Sequence, residues 1–180
     1  MKNDEINVYL QGEPQQPMRI ISQIILIMTA LFSGCLGPSK PEGRLTYCSC
    51  ARNGAAGLGR DYCELIADEG TTPKIVVVRN AECRFMESTR AEFEVDESVV
   101  LELQKLLEDN KVYKLAGYRY EEPITGGHSY RIYQEYSSGE KVNAFWYGSK
   151  PKEAAIRAYN LISHFFKPWY DQVPDGKDIF

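Results

Sequence analysis

Cysteine and histidine are the side chains with most chemistry to offer here, and the 180-residue chain holds five of the first and two of the second. Setting Cys35 aside, Cys48, Cys50, Cys63 and Cys83 form an even set, which in an oxidising compartment can close two disulfides in three connectivities. Cys48 and Cys50 lie two apart on a strand-like run, so their side chains share a face but stand near the upper limit of Cα separation for bridging one another. The spacing predicts a bridge from that strand to Cys63 or Cys83, with free thiols as the alternative. A Cys₄ zinc site uses turn-forming pairs with two to four intervening residues, which C-x-C and two isolated cysteines do not supply. No metal or other cofactor is expected, and a thiol redox enzyme would more often carry C-x-x-C.

The remaining candidates are weaker. His128 follows Gly126-Gly127 and His164 falls in a helical pattern, and neither has a motif partner; a His128–cysteine nucleophilic pair would have to be assembled in space. The Gly54-Ala55-Ala56-Gly57-Leu58-Gly59 run has the composition of an anion-binding loop. A dinucleotide or P-loop fingerprint needs a helix straight after the glycines, whereas Asp61-Tyr62-Cys63-Glu64-Leu65-Ile66 reads as a strand. Acidic residues such as Glu64, Asp68, Glu69, Glu121 and Glu122 are scattered in the manner of a solvated surface, without the spacing of a calcium loop. No catalytic set emerges.

A different chemistry attaches to Cys35. Met18-Arg19 precedes an apolar run, Ile20 to Phe32, which ends in Ser33-Gly34-Cys35. That run is shorter than the roughly 20 residues a membrane span needs and fits the 7–15 of a secretory signal's hydrophobic region. Phe32-Ser33-Gly34-Cys35 resembles the lipobox of bacterial lipoproteins, with Phe32 where Leu, Val or Ile is usual. The resemblance covers the signal alone. It implies cleavage after Gly34, thioether lipidation of Cys35, and a protein held at a bacterial envelope membrane, facing the periplasm. A buried helix or an uncleaved anchor is the plainer reading of an apolar run, but the Gly/Pro-rich stretch from Leu36 to Gly43 reads as a tether. Residues 2–17 carry Asp4, Glu5 and Glu13 where a signal should be positive, so Met18 competes with Met1 as the start.

These boundaries predict an upstream extension over 1–17, a signal over 18–34, an anchor and tether over 35–43, one domain over 44–170 and a tail over 171–180. Lys and Arg number 21 against 25 Asp and Glu, a net charge of −4, which leaves no basic excess to bind nucleic acid. With 43% hydrophobic and 26% charged residues, the chain is neither disordered nor fibrous.

Within the domain, Leu45–Ala51 and Tyr62–Ala67 read as a hairpin around the glycine-rich loop. Lys74–Arg79 has the β-branched density of a third strand, and Ala91–Val95 is a fourth. Asp96 stands as N-cap before a helix in which Val99, Val100, Leu103, Leu106 and Leu107 recur at helical spacing. Two strands, Tyr130–Tyr136 and Lys141–Tyr147, follow around Ser138-Gly139. A last helix starts near Ser149-Lys150-Pro151, turns Ala155, Ala158, Tyr159, Ile162, Phe165 and Phe166 inward, and stops at Pro168. The order predicts an α+β fold, an antiparallel sheet of about five to six strands with two helices packed on one face.

A two-residue Ser138-Gly139 turn predicts the register of the second hairpin. It pairs Tyr136 with Lys141, Gln134 with Asn143, Ile132 with Phe145 and Tyr130 with Tyr147 on the core face. On the other face it pairs Glu135 with Val142, Tyr133 with Ala144 and Arg131 with Trp146. If that second face is open, Arg131, Tyr133 and Trp146, with Tyr118 and Tyr120, form an amphipathic aromatic surface suited to peptide or sugar. The burial usual for large aromatics favours packing of Trp146 and Tyr133 beneath the Gly117–Gly127 connection. The function this predicts is a lipid-anchored, non-catalytic binding module for an envelope protein, peptide or glycan. The competing classes are an envelope enzyme using thiol or carboxylate chemistry and a small inhibitor or assembly partner.

Overall fold

The computed structural model describes residues 37–54, 59–81, 83–123 and 126–177. The signal, Cys35 and the loop tip 55–58 lie outside the described residues. Among the described residues there are seven strands and two α-helices: β1 Leu45–Asn53, β2 Arg60–Ile66, β3 Lys74–Ala81, β4 Thr89–Glu94, α1 Glu97–Asp109, β5 Arg119–Glu121, β6 Ser129–Tyr136, β7 Lys141–Tyr147 and α2 Glu153–Tyr170, with a 3₁₀ turn at Val112–Leu115.

The strands form one sheet in the order β4-β3-β2-β1-β6-β7-β5. β1 to β4 run as a meander, and β6 returns to pair antiparallel with β1. The expected strand count and the purely antiparallel sheet are both corrected by β5. It is only three residues long and pairs parallel with β7, Tyr120 opposite Trp146. The run Arg119-Tyr120-Glu121 is too short and too polar to register as a strand; its pairing is with a segment more than twenty residues away, and only the folded chain presents that partner.

Alternation explains the core. Cys48 and Cys50 of β1, Cys63 and Leu65 of β2, Ile75 and Val77 of β3, and Ile132, Val142 and Ala144 of β6 and β7 are buried in one cluster. Val100, Leu103 and Leu107 of α1 and Ala155, Ala158, Ile162 and Phe166 of α2 complete that cluster. Both helices therefore bury their apolar stripes in the same core. Val99, Leu106, Tyr159 and Phe165, also expected inward, are half-buried at its margin.

Both helix starts depart in detail from expectation. Asp96 occupies the N-cap position of α1, but its side chain makes no capping bond. Ser149 does not cap α2, which begins at Glu153 behind Lys152, because Glu122 Oε2 accepts both the Ser149 amide at 2.8 Å and its hydroxyl at 2.9 Å. Pro168 lies inside α2 rather than ending it. A proline so near the C-terminus forfeits one ladder bond, and the Asp171 amide still donates to the Lys167 carbonyl at 3.0 Å.

The β6–β7 register is the largest correction. The Gly139 amide donates to Tyr136 O at 2.8 Å, the Tyr136 amide donates to Glu140 O at 3.0 Å, and Gly139 has φ +86°. This is a three-residue loop with a left-handed glycine, not a two-residue turn. The pairing moves by one residue: Tyr130 faces Trp146, Ile132 faces Ala144, Gln134 faces Val142, and Arg131 faces Phe145. A one-residue slip exchanges the two faces of a strand, so Trp146 passes from the Arg131 face to the core face and Phe145 takes its place.

From Pro38 onward the chain forms one compact unit. Beyond α2, Val173 is buried, Arg79 Nη1 donates to Val173 O at 2.6 Å, and Thr89 Oγ1 donates to Pro174 O at 2.8 Å. Before β1, Pro41 is buried and Lys40 pairs with Glu108 at 2.8 Å.

Candidate functional site

At one edge of the sheet β1 ends, β2 and β6 begin and β7 ends. Above these strand ends α2 leaves a cleft of about 660 Å³, within the size range of small-molecule sites. Its floor comes from the sheet, with Cys50 and Arg52 on β1, Asp61 and Cys63 on β2, Tyr130 on β6 and Trp146 on β7. Its roof is one stripe of α2, Ile156, Tyr159, Asn160, Ser163, Lys167 and Tyr170, recurring at helical spacing.

One wall is aromatic. Tyr130 and Trp146 stack with centroids 5.4 Å apart, and Tyr159 meets both edge-on, at 4.9 Å and 6.0 Å. Trp146 is 2% exposed, so it backs the wall, while Tyr130 and Tyr159 are half-buried and line the cleft. The other wall is polar. Asp61 Oδ2 accepts the Tyr170 hydroxyl at 3.0 Å and Asp61 Oδ1 accepts the Asn80 amide at 2.9 Å. Burial, with the Asp61 carboxylate beside it, pushes the Tyr170 hydroxyl up to about 12. Tyr170 therefore stays protonated and donates to Asp61 throughout the physiological range.

The thiols sit at the floor. Cys50 and Cys63 are direct partners across the β1–β2 ladder, each 5% exposed, and Cys50 Sγ lies 3.6 Å from Ser163 Oγ. Cys48, Cys50 and Cys63 are free thiols. This corrects the disulfide expected from the β1 cysteines: Cys50 is packed toward the Ser163 hydroxyl of α2, and its cross-strand neighbour is held among core side chains. Burial pushes the Cys50 thiol up to about 11 despite the Ser163 contact, and burial also raises Cys63 and Cys48 well above the ordinary thiol value. A thiol titrating that high holds little thiolate at neutral pH, so these cysteines are poor nucleophiles. Cys83 is apart from them, beside Gly59, with its Sγ accepting the Phe85 amide at 3.5 Å.

His128 is not joined to a cysteine. Arg52 Nη2 donates to His128 Nε2 at 2.9 Å, and since arginine only donates, the imidazole accepts there and offers its Nδ1 hydrogen to Asn53 O, 3.3 Å away. His164 lies on the exposed flank of α2 at the margin of the cleft. Among the described residues no group of three or more His, Cys, Asp or Glu is disposed to hold a metal ion.

The aromatic surface expected from the sequence is divided between two faces. Arg131 is exposed and Tyr133 half-buried on the face away from the helices, where Arg131 stands 5.7 Å over the Tyr133 ring and Arg119 5.4 Å over Phe145. Trp146, Tyr118 and Tyr120 are packed against the core instead. The Tyr118 hydroxyl accepts the Lys152 amide at 2.8 Å, fixing the start of α2, and Tyr120 donates to Glu122 at 3.3 Å.

The sequence reading did not single out Arg52, Asp61, Tyr159, Ser163 or Tyr170 as site residues. One signal was available: Arg52 and Asp61 are cross-strand partners placed symmetrically about the glycine-rich loop. No protein-family model matches the chain, and no curated protein matches it in sequence. The site's own geometry carries the functional argument.

Proposed function

We propose that the chain is a lipid-anchored bacterial envelope protein, held through Cys35, that works as a non-catalytic binding module. The cleft between the sheet and α2 is its ligand site. The observation that carries this reading is the cleft's make-up: ligand-sized, with a ring-lined wall facing fixed polar groups, and with thiols too weakly acidic to act as nucleophiles. Such a mixture orients a bound molecule more readily than it transforms one. The Tyr130 and Tyr159 rings suit the flat face of an aromatic or sugar ring. Arg52, Asp61, Asn160 and Ser163 supply directional polar contacts around it.

The test is thermal melting of the full chain against a panel of aromatic acids, nucleosides and oligosaccharides. A ligand at a hundred times its Kd adds about 2.7 kcal/mol of stability, so a true occupant raises the melting temperature by several degrees. Asn160 is exposed at the rim. Asn160→Trp should close the cleft, leave the unliganded melt in place and abolish the shift. A shift that survives Asn160→Trp places the ligand elsewhere and removes the cleft from the argument.

A further inference from the structure

On the other side of α2 a second depression, also about 660 Å³, lies against the 3₁₀ turn. Eleven residues line it; Lys111, Lys114, Arg157 and His164 are among them, and none is Asp or Glu. In a chain of net charge −4, a groove with cations and no carboxylate concentrates positive potential against the sign of the whole. Its floor is apolar, with Leu115 buried and Leu161 half-buried. Arg157 spends one contact on Glu153 at 2.7 Å, an exposed helical pair of the kind that contributes little. Lys111 and Lys114 form no ion pair among the described residues.

The backbone adds an independent observation. Lys111 has φ 53° and ψ 36°, the left-handed conformation that closes a helix end and that glycine or asparagine adopts most easily. A lysine occupies it, and its side chain lines the groove.

We propose that this groove seats the phosphate headgroup of an anionic glycerophospholipid, with the phosphate on Lys111, Lys114 and Arg157 and the adjoining methylenes along Leu115 and Leu161. Cationic clusters beside a membrane take anionic headgroups in this way, and an apolar floor distinguishes an amphiphile's seat from a site for a fully hydrated ion. The proposal rests on the reading of the chain as membrane-anchored, and it concerns a surface that meets the ligand cleft only at Asn160 and His164.

The experiment separates the two. The compact unit from Pro38 onward, which has neither the apolar signal nor Cys35, is sedimented with vesicles of phosphatidylcholine alone and of phosphatidylcholine with phosphatidylglycerol. Capture by the anionic vesicles alone is expected. Lys111→Gly with Lys114→Gln should weaken it about thirtyfold, at the usual contribution per cation near an anionic surface, while Lys150→Gln, outside the groove, changes it less than twofold. Because glycine suits the backbone at 111, this double variant should melt no lower than the parent, so weaker capture is not a folding defect. Equal capture by the two vesicle types, an equal loss in Lys150→Gln, or displacement by low-millimolar inorganic phosphate overturns the lipid assignment. Failure of Cys35 to accept lipid in cells overturns the anchor and leaves the vesicle result standing.

Discussion

Replacing Trp146 with Ala tests the hairpin register and the architecture of the cleft together. Trp146 is 2% exposed, stacked on Tyr130 at 5.4 Å and edge-on to Tyr159 at 6.0 Å. Truncating a buried aromatic of this size costs about 3–5 kcal/mol through lost transfer energy and the cavity left behind. Aromatic pairs add roughly 0.5–1.5 kcal/mol each beyond area, so the upper half of that range is expected. At about 2–4 °C per kcal/mol for a chain of this length, the melting temperature should fall by roughly 10 °C or more. Arg131→Ala, on the exposed face, should shift it by no more than about 0.5 kcal/mol. Phe145→Ala, half-buried on that same face, should fall between. Urea unfolding of the three variants in parallel supplies the comparison. In the two-residue-turn register Trp146 and Phe145 exchange faces and the order of their losses reverses. A loss in Phe145→Ala greater than in Trp146→Ala would therefore refute the three-residue loop and the aromatic wall built on it.

Three further outcomes are expected. Cys50 is raised from an ordinary 9.0 to about 11 by burial, so unfolding releases its proton more easily; stability is intact below pH 9 and falls as pH rises toward 11, and Cys50→Ala should flatten that decline in an alkaline series of urea melts. Gly139 has φ +86° and open space around its Cα, so Gly139→Ala costs about 1 kcal/mol from backbone strain alone, whereas an unchanged melt would show that the loop has another conformation. Metabolic labelling with palmitate should mark the parent and not Cys35→Ala; equal labelling of the two removes the envelope assignment.

Much of the fold was readable because local physics repeats along the chain. Six strands announce themselves by alternation or β-branched density, and both helices by an apolar stripe at helical spacing. β5 was unreadable because three residues bounded by polar neighbours have no period, and only the presence of β7 gives them a partner. Ser149 looked like a cap for α2 because its residue type suits the role; Glu122, nearly thirty residues earlier, claims its hydrogen bonds first. The face that Trp146 occupies turned on one choice. Ser138-Gly139 is compatible with a two- or a three-residue loop, and the choice decides which face every side chain of both strands occupies.

The sequence by itself determined six of the seven strands and both helices, the even alternation that buries Cys48 and Cys50 together, and the short apolar run ending at Cys35 on which the expectation of lipidation rests. These depend on neighbours a few residues apart, where covalent geometry sets the period. Tertiary structure decided the rest. It selected the hairpin register, turned Trp146 inward, directed Cys50 toward Ser163, and brought Asp61 to Tyr170 across more than a hundred residues. Such contacts depend on which surfaces meet when the sheet and α2 close on a common core, and sequence distance carries no record of that meeting.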